Sequence, residues 1–174
     1  MDIDMTRKEE FQKIYLRQAD MVYRICLLYL KNRADTEDAM QSIFLKAWEH
    51  QKNFLDENHE RAWFVTVTRN YCKDELKSSW KKKRVEWNEI EQQNAGLTRD
   101  EINHQNVEND NPVLTGIMKL DIKYRELLYL YYFEEYAIKE ISSILKRKES
   151  TIQSQLASAR KKLRKILEQE VNYE

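Results

Sequence analysis

Apolar residues recur at intervals of three, four and seven along most of this chain, a period that one face of an α-helix satisfies and a strand does not. Phe11, Ile14, Tyr15, Val22, Ile25, Cys26 and Tyr29 form the first such stripe, which predicts a helix from about Arg7 to Lys31. The polar Lys-Asn-Arg stretch that follows breaks the pattern. Asp35 is expected to cap a second helix, with Glu37 and Asp38 in its first turn, where the helix dipole favours carboxylates. Met40, Ile43, Phe44 and Ala47 give that helix its apolar face. A third helix is expected from near Glu60, with Trp63, Phe64, Val67 and Tyr71 facing inward and a basic tail, SSWKKKR, at its end. Three such stripes close one small core. Two glycines and one proline in 174 residues are too few turn formers for a sheet protein.

Beyond residue 84 the character changes. Residues 85–111 are acidic and rich in Asn and Gln, hold Gly96 and end at Pro112, the composition of a linker. Helical spacing then resumes through Ile117, Met118, Tyr124, Leu127, Leu128, Tyr131, Ile138, Ile141, Leu145, Ile152, Leu156, Ala159, Leu163 and Ile166. The last two helices, joined by the short segment Lys146 to Glu149, have the proportions of a helix-turn-helix. The expected architecture is all-α: a three-helix N-terminal bundle over 1–84, an acidic linker over 85–111 and a C-terminal helix-turn-helix domain over 112–174.

Thirty Lys and Arg balance thirty Asp and Glu, which excludes a uniformly basic nucleic-acid binder. The charge is unevenly placed. Residues 1–58 carry net −2, 59–84 net +5, 85–111 net −6, 112–145 net −1 and 146–174 net +4, so an acidic segment separates two basic patches. Cys26 and Cys72 lack the spacing of a zinc knuckle or a disulfide framework and are expected as buried, reduced thiols. Glu101 and His104 supply one Glu-x-x-His where a carboxylate-bridged metal site in a helical bundle needs two, so an enzyme built on such a metal site is not expected. With neither a signal-like N-terminus nor a run of roughly 18 apolar residues, the expectation is a cytoplasmic protein without membrane insertion.

Asp35-Thr-Glu-Asp-Ala-Met-Gln-Ser-Ile-Phe-Leu-Lys-Ala-Trp48 closely resembles the polymerase-binding segment of extracytoplasmic-function sigma factors of the sigma-70-like family, with matches at Glu37, Asp38, Gln41, Phe44, Ala47 and Trp48. Ala62-Trp63-Phe64 and Arg69-Asn70-x-x-x-Asp74-x-Leu76 resemble the family's promoter-melting helix. The run from Tyr124 to Leu163 is similar to its second conserved domain. What the resemblance implies is a sigma factor, with no cofactor and no bond-making chemistry. Region two would bind the clamp helices of the largest subunit of core RNA polymerase and open the minus-10 element; region four would hold the minus-35 element and the flap of the second-largest subunit. Promoter DNA and core polymerase are the implied partners, an anti-sigma factor is a further one by family habit, and the free protein is expected as a monomer.

By this resemblance Asp35, Glu37, Asp38, Gln41 and Phe44 bind polymerase. Arg69, Asn70, Lys73 and Lys77 engage the minus-10 strand, Asn70 receiving a flipped base through its amide and the cations holding phosphates. Arg69, Lys73, Lys77 and Arg84 are spaced along one side of the third helix, opposite Phe64, Val67 and Tyr71. Thr151, Gln153, Ser154, Gln155 and Ser158 face the minus-35 element, where Gln can read adenine and Ser or Thr can hold phosphates. Relatives commonly carry Lys or Arg where this chain has Gln153, Gln155 and Ser158, and Gly where it has Lys146. The first departure weakens phosphate attraction, and the second puts a side chain where a left-handed turn is expected. A stand-alone helix-turn-helix regulator would explain the C-terminal half but leaves Asp35 to Trp48 without a role.

Overall fold

The computed structural model describes residues 3–50, 53–89 and 112–171, and among them every regular element is a helix. The chain divides into two compact units, 1–105 and 106–174. The first holds α1 (Ile3–Leu30), α2 (Arg33–His50) and α3 (Glu57–Glu89). The second holds α4 (Pro112–Met118), α5 (Ile122–Leu128), a π-helical turn (Tyr129–Phe133), α6 (Ile138–Leu145) and α7 (Glu149–Val171). Helix α3 passes the boundary expected at residue 84, and residues 90–111 of the expected linker, with Glu101 and His104, lie outside the described residues.

Each junction in the first unit has a local cause. Lys31 takes a left-handed conformation (φ 60°) and donates its N–H to the Leu27 carbonyl at 3.0 Å, which ends α1. Asn32, not Asp35, then caps α2: its Oδ1 accepts the Asp35 N–H at 2.8 Å and its Nδ2 donates to Asp35 Oδ2 at 2.6 Å. The helix starts at Arg33, two residues before the expected cap, so Asp35 is already in its first turn. Asp56 accepts the His59 N–H at 2.7 Å and starts α3 at Glu57, three residues before the sequence pattern suggests.

Val22 and Cys26 of α1, Ile43 and Phe44 of α2, and Phe64, Val65 and Cys72 of α3 fill the core of this unit. The buried face of α3 is offset from the expected one. Val65, Thr68 and Cys72 are enclosed, whereas Trp63, Val67 and Tyr71 are half-buried, because α3 packs against both α1 and α2. Glu60 is buried on the same helix, and its carboxylate accepts from Arg17 at 3.1 and 2.7 Å and from Gln18 at 2.8 Å. Those hydrogen bonds raise the Arg17 pKa above its already high ordinary value. Cys26 and Cys72 are free and fully enclosed, and a hydrogen bond with Cys26, followed by burial, pushes the Cys72 thiol pKa upward.

In the second unit Leu127, Leu128 and Tyr129 pack with Ile141, Leu145, Ile152, Leu156 and Ala159. Gly116 lets α4 come close to α7: a Cβ there would stand 2.9 Å from Leu163 Cδ1. In the π-helical turn the buried Tyr129 donates its hydroxyl to Glu134 at 2.5 Å. At the start of α6 Glu140 reaches back to the Ala137 N–H at 2.7 Å.

Lys146 ends α6 in the left-handed region (φ 53°, ψ 46°), where a Cβ is crowded by the neighbouring backbone. Lys146→Gly is therefore expected to stabilise the second unit by about 1 kcal/mol, raising its Tm by roughly 4–8 °C. A thermal melt of the variant that shows no rise would count against strain at this turn.

Candidate functional site

Helix α2 presents a narrow polar face. Asp35, Glu37, Asp38 and Gln41 are all exposed. Asp35 is held by Asn32, and Glu37 is paired with Arg33 at 2.7 Å, which leaves Asp38 and Gln41, one turn apart, as its outward polar pair. Leu45 continues that line at helical spacing and is 57% exposed, an apolar residue on an otherwise polar face that sequence periodicity does not single out. Phe44 does not belong to this surface. It is 5% exposed and sits in an aromatic cluster with Tyr15 at 4.7 Å and Phe64 at 5.2 Å, so its expected polymerase contact is corrected to a core role. Its place in the sequence match reflects the packing that holds α2 in position.

On α3, Asn70 and Lys77 are exposed and Lys73 is half-buried. Arg69 departs from the expected basic side: it is buried, because α3 turns a broad face into the unit. Lys77 stands 3.9 Å from Asp74, and both side chains are about three-quarters exposed, a separation and exposure at which an ion pair contributes little and leaves the ammonium available. Trp80 is 75% exposed and follows Asn70, Lys73 and Lys77 at steps of three, four and three, so the line of polar and basic groups ends in an aromatic ring. The line expected from sequence, through Arg69, Lys73, Lys77 and Arg84, leaves Trp80 out, although its spacing from Lys77 marks it. Arg84 lies beyond the described side chains.

On α7, Gln153, Ser154 and Ser158 are exposed, while Thr151 and Gln155 are half-buried. Ser154 donates its hydroxyl to the Thr151 carbonyl at 3.0 Å. Gln155 is turned toward the preceding turn, where its Oε1 accepts from Arg147 at 3.0 Å, so it does not share the outward face of Gln153. The other terminal nitrogen of Arg147 donates to the buried Glu126 carboxylate of α5. Farther along α7, Arg160 donates to the Tyr132 hydroxyl at 2.6 Å and lies over the Tyr131 and Tyr132 rings, and Lys162 lies 5.6 Å from the Tyr124 ring centroid. Lys161, Arg164 and Lys165 are exposed. Ile117, Leu128, Phe133, Leu163 and Leu167 line an open, mostly apolar groove of about 570 Å³ beside them.

Among the described residues no group of three or more His, Cys, Asp or Glu side chains is arranged to hold a metal ion, and no helix is long and apolar enough to cross a membrane. The surfaces that the sequence singles out are thus an acid-and-amide face on α2, an amide-and-lysine face on α3 and the exposed start of α7. Such groups make hydrogen bonds and phosphate contacts.

Comparison with known proteins gives these surfaces a context. Residues 14–82 match Sigma-70 region 2, and residues 111–163 match Sigma-70, region 4. The chain is 29% identical over 163 residues to the ECF RNA polymerase sigma factor SigM of Bacillus subtilis, covering 93% of this chain and 98% of that protein. It is 27% identical over 158 residues to the ECF RNA polymerase sigma factor SigL of Mycobacterium tuberculosis, covering 90% and 88%. Its fold is similar to that of the sigma factor RpoE of Bartonella quintana, solved in complex with the anti-sigma factor NepR (TM-score 0.71, 18% identity, 92% of this chain and 98% of that one). It is also similar to CnrH in complex with the cytosolic domain of CnrY (TM-score 0.61, 19% identity, 92% and 89%).

Proposed function

The chain belongs to the sigma-70 family of RNA polymerase sigma factors, in its extracytoplasmic-function group, and from that membership we propose a division of labour among its residues. As a sigma factor it binds core RNA polymerase and directs initiation at promoters that it recognises by their minus-10 and minus-35 elements. The proposed polymerase contact is the α2 face of Asp38 and Gln41, flanked by Asp35 and Glu37 and extended by Leu45. The proposed minus-10 contact is the α3 line of Asn70, Lys73 and Lys77, with Arg69 supporting it from beneath. The proposed minus-35 contact is the α7 face of Thr151, Gln153, Ser154 and Ser158. In this reading residues 1–84 act as region two and 112–174 as region four, joined by the acidic segment between them, and the chain carries out no bond-making chemistry of its own.

The observation that carries the reading is the ordered pair of family matches on one chain, each coinciding with an exposed polar helix face. A stand-alone regulator would leave the first match and the α2 face unused. The sigma factor RpoE was captured with the anti-sigma factor NepR, and CnrH with the cytosolic domain of CnrY, and we extend binding by a partner of the anti-sigma class to this chain.

The test is promoter opening by reconstituted holoenzyme. Asn70→Ala is expected to reduce open complexes about tenfold, the size of one lost base contact. Lys73→Ala should instead weaken binding to every sequence and lower the salt slope by about 0.7–0.9, one phosphate's worth. Normal melting by Asn70→Ala would remove that residue from the minus-10 site.

A further inference from the structure

Arg147 lies in the turn between α6 and α7, yet it is tied to three helices. Its N–H donates to the Ser142 carbonyl at 3.2 Å and its own carbonyl accepts the Ser142 hydroxyl at 2.6 Å, which fixes its backbone against α6. Its guanidinium then spans two further partners: the Glu126 carboxylate on α5, whose side chain is 5% exposed, and Gln155 Oε1 on α7 at 3.0 Å. A buried carboxylate requires a cation or several donors, so Glu126 constrains where this guanidinium sits. The guanidinium in turn fixes Gln155, one residue from Ser154 and two from Gln153 on the exposed start of α7.

The second observation concerns where the charge comes from. Here the cation facing Glu126 comes from the turn, and Gln155 accepts from it. One guanidinium reaches both oxygens, so Glu126 also lies within range of a longer side chain at position 155.

We propose that Arg147 is the positioning residue of minus-35 recognition: held between Glu126 and Gln155, it sets the seat of α7 and thereby the sequence discrimination of the second unit. It acts through the helix and touches no base. Direct readout needs side chains within about 0.5 Å of their productive geometry, so loss of this three-helix tie costs discrimination before it costs folding. The proposal rests on the sigma-factor reading above.

The experiment uses holoenzyme made from the full chain and core polymerase, transcribing template pools randomised separately at the minus-35 and the minus-10 element. With Arg147→Gln, discrimination at minus-35 is expected to fall about tenfold, while discrimination at minus-10 and core binding stay at the wild-type level. Returning the cation from the helix, in Arg147→Val with Gln155→Arg, should restore most of the minus-35 discrimination; a purely structural loss would not be rescued in this selective way. Unchanged minus-35 selection by Arg147→Gln would overturn the proposal. So would a folded double variant that selects no minus-35 sequence, and that arm decides the matter if Arg147→Gln fails to fold. A wild-type holoenzyme that enriches neither element would overturn the sigma-factor reading itself and this proposal with it.

Discussion

Asp38→Lys combined with Gln41→Ala is expected to abolish co-purification with core RNA polymerase and to leave helix content and Tm unchanged. Both side chains are exposed on α2, so their replacement opens no cavity in the unit. Asp38 lies beyond the first turn of α2, where the helix dipole no longer rewards an acid, and a lysine there has little effect on the helix. Against a partner surface shaped for an acid, the same lysine places like charge on like charge, and the lost amide leaves a partner group without its hydrogen bond. Together these cost an affinity factor of about 100 or more. Pull-down with tagged core enzyme, alongside circular dichroism, checks both halves of the expectation. Retained binding would detach this helix face from polymerase recognition.

Phe44→Ala is expected to give the opposite pattern. The ring is 5% exposed and packed among Tyr15, Phe11 and Phe64, so its removal leaves a cavity and costs about 3–5 kcal/mol. That is a large share of the stability of a small domain, and region two is expected to unfold at a markedly lower urea concentration. Phe44→Leu, which refills most of the volume, should keep polymerase binding. An Ala variant of wild-type stability that no longer binds polymerase would return Phe44 to the interface.

These three residues of α2 also mark how far the sequence can be read. The stripes of α1, α2, α6 and α7 were legible, apart from the exposed Tyr15 of α1, because each buries one continuous arc, and the acids and amide of α2 stood out because nothing in the arc requires them. Phe44 matched a binding motif, but a motif does not separate residues that touch a partner from those that hold the contact in place. Arg69 was misplaced for a related reason: α3 packs on two neighbours, so its buried arc is wider than a single stripe, and a long side chain at its flank is enclosed. Asn32 and Asp35 are both good caps, and the choice between them depended on where Lys31 turned left-handed. The π-helical turn at Tyr129–Phe133 has no period of its own in an apolar run. The pairing of Glu126 with Arg147 spans 21 residues, a distance at which local patterns are silent.

The enclosed thiols of region two have a practical consequence. The chain has two cysteines, and both lie within the residues matched to that region, so the other unit contributes no thiol signal. A maleimide or disulfide reagent reaches Cys26 or Cys72 only when α1 and α3 separate, and a thiol whose pKa is raised offers little thiolate beforehand. The labelling rate of the unmodified chain therefore counts openings of one unit while ignoring the other. A partner that clamps region two should slow the reaction, and a partner that grips region four alone should leave its clock running at the same speed.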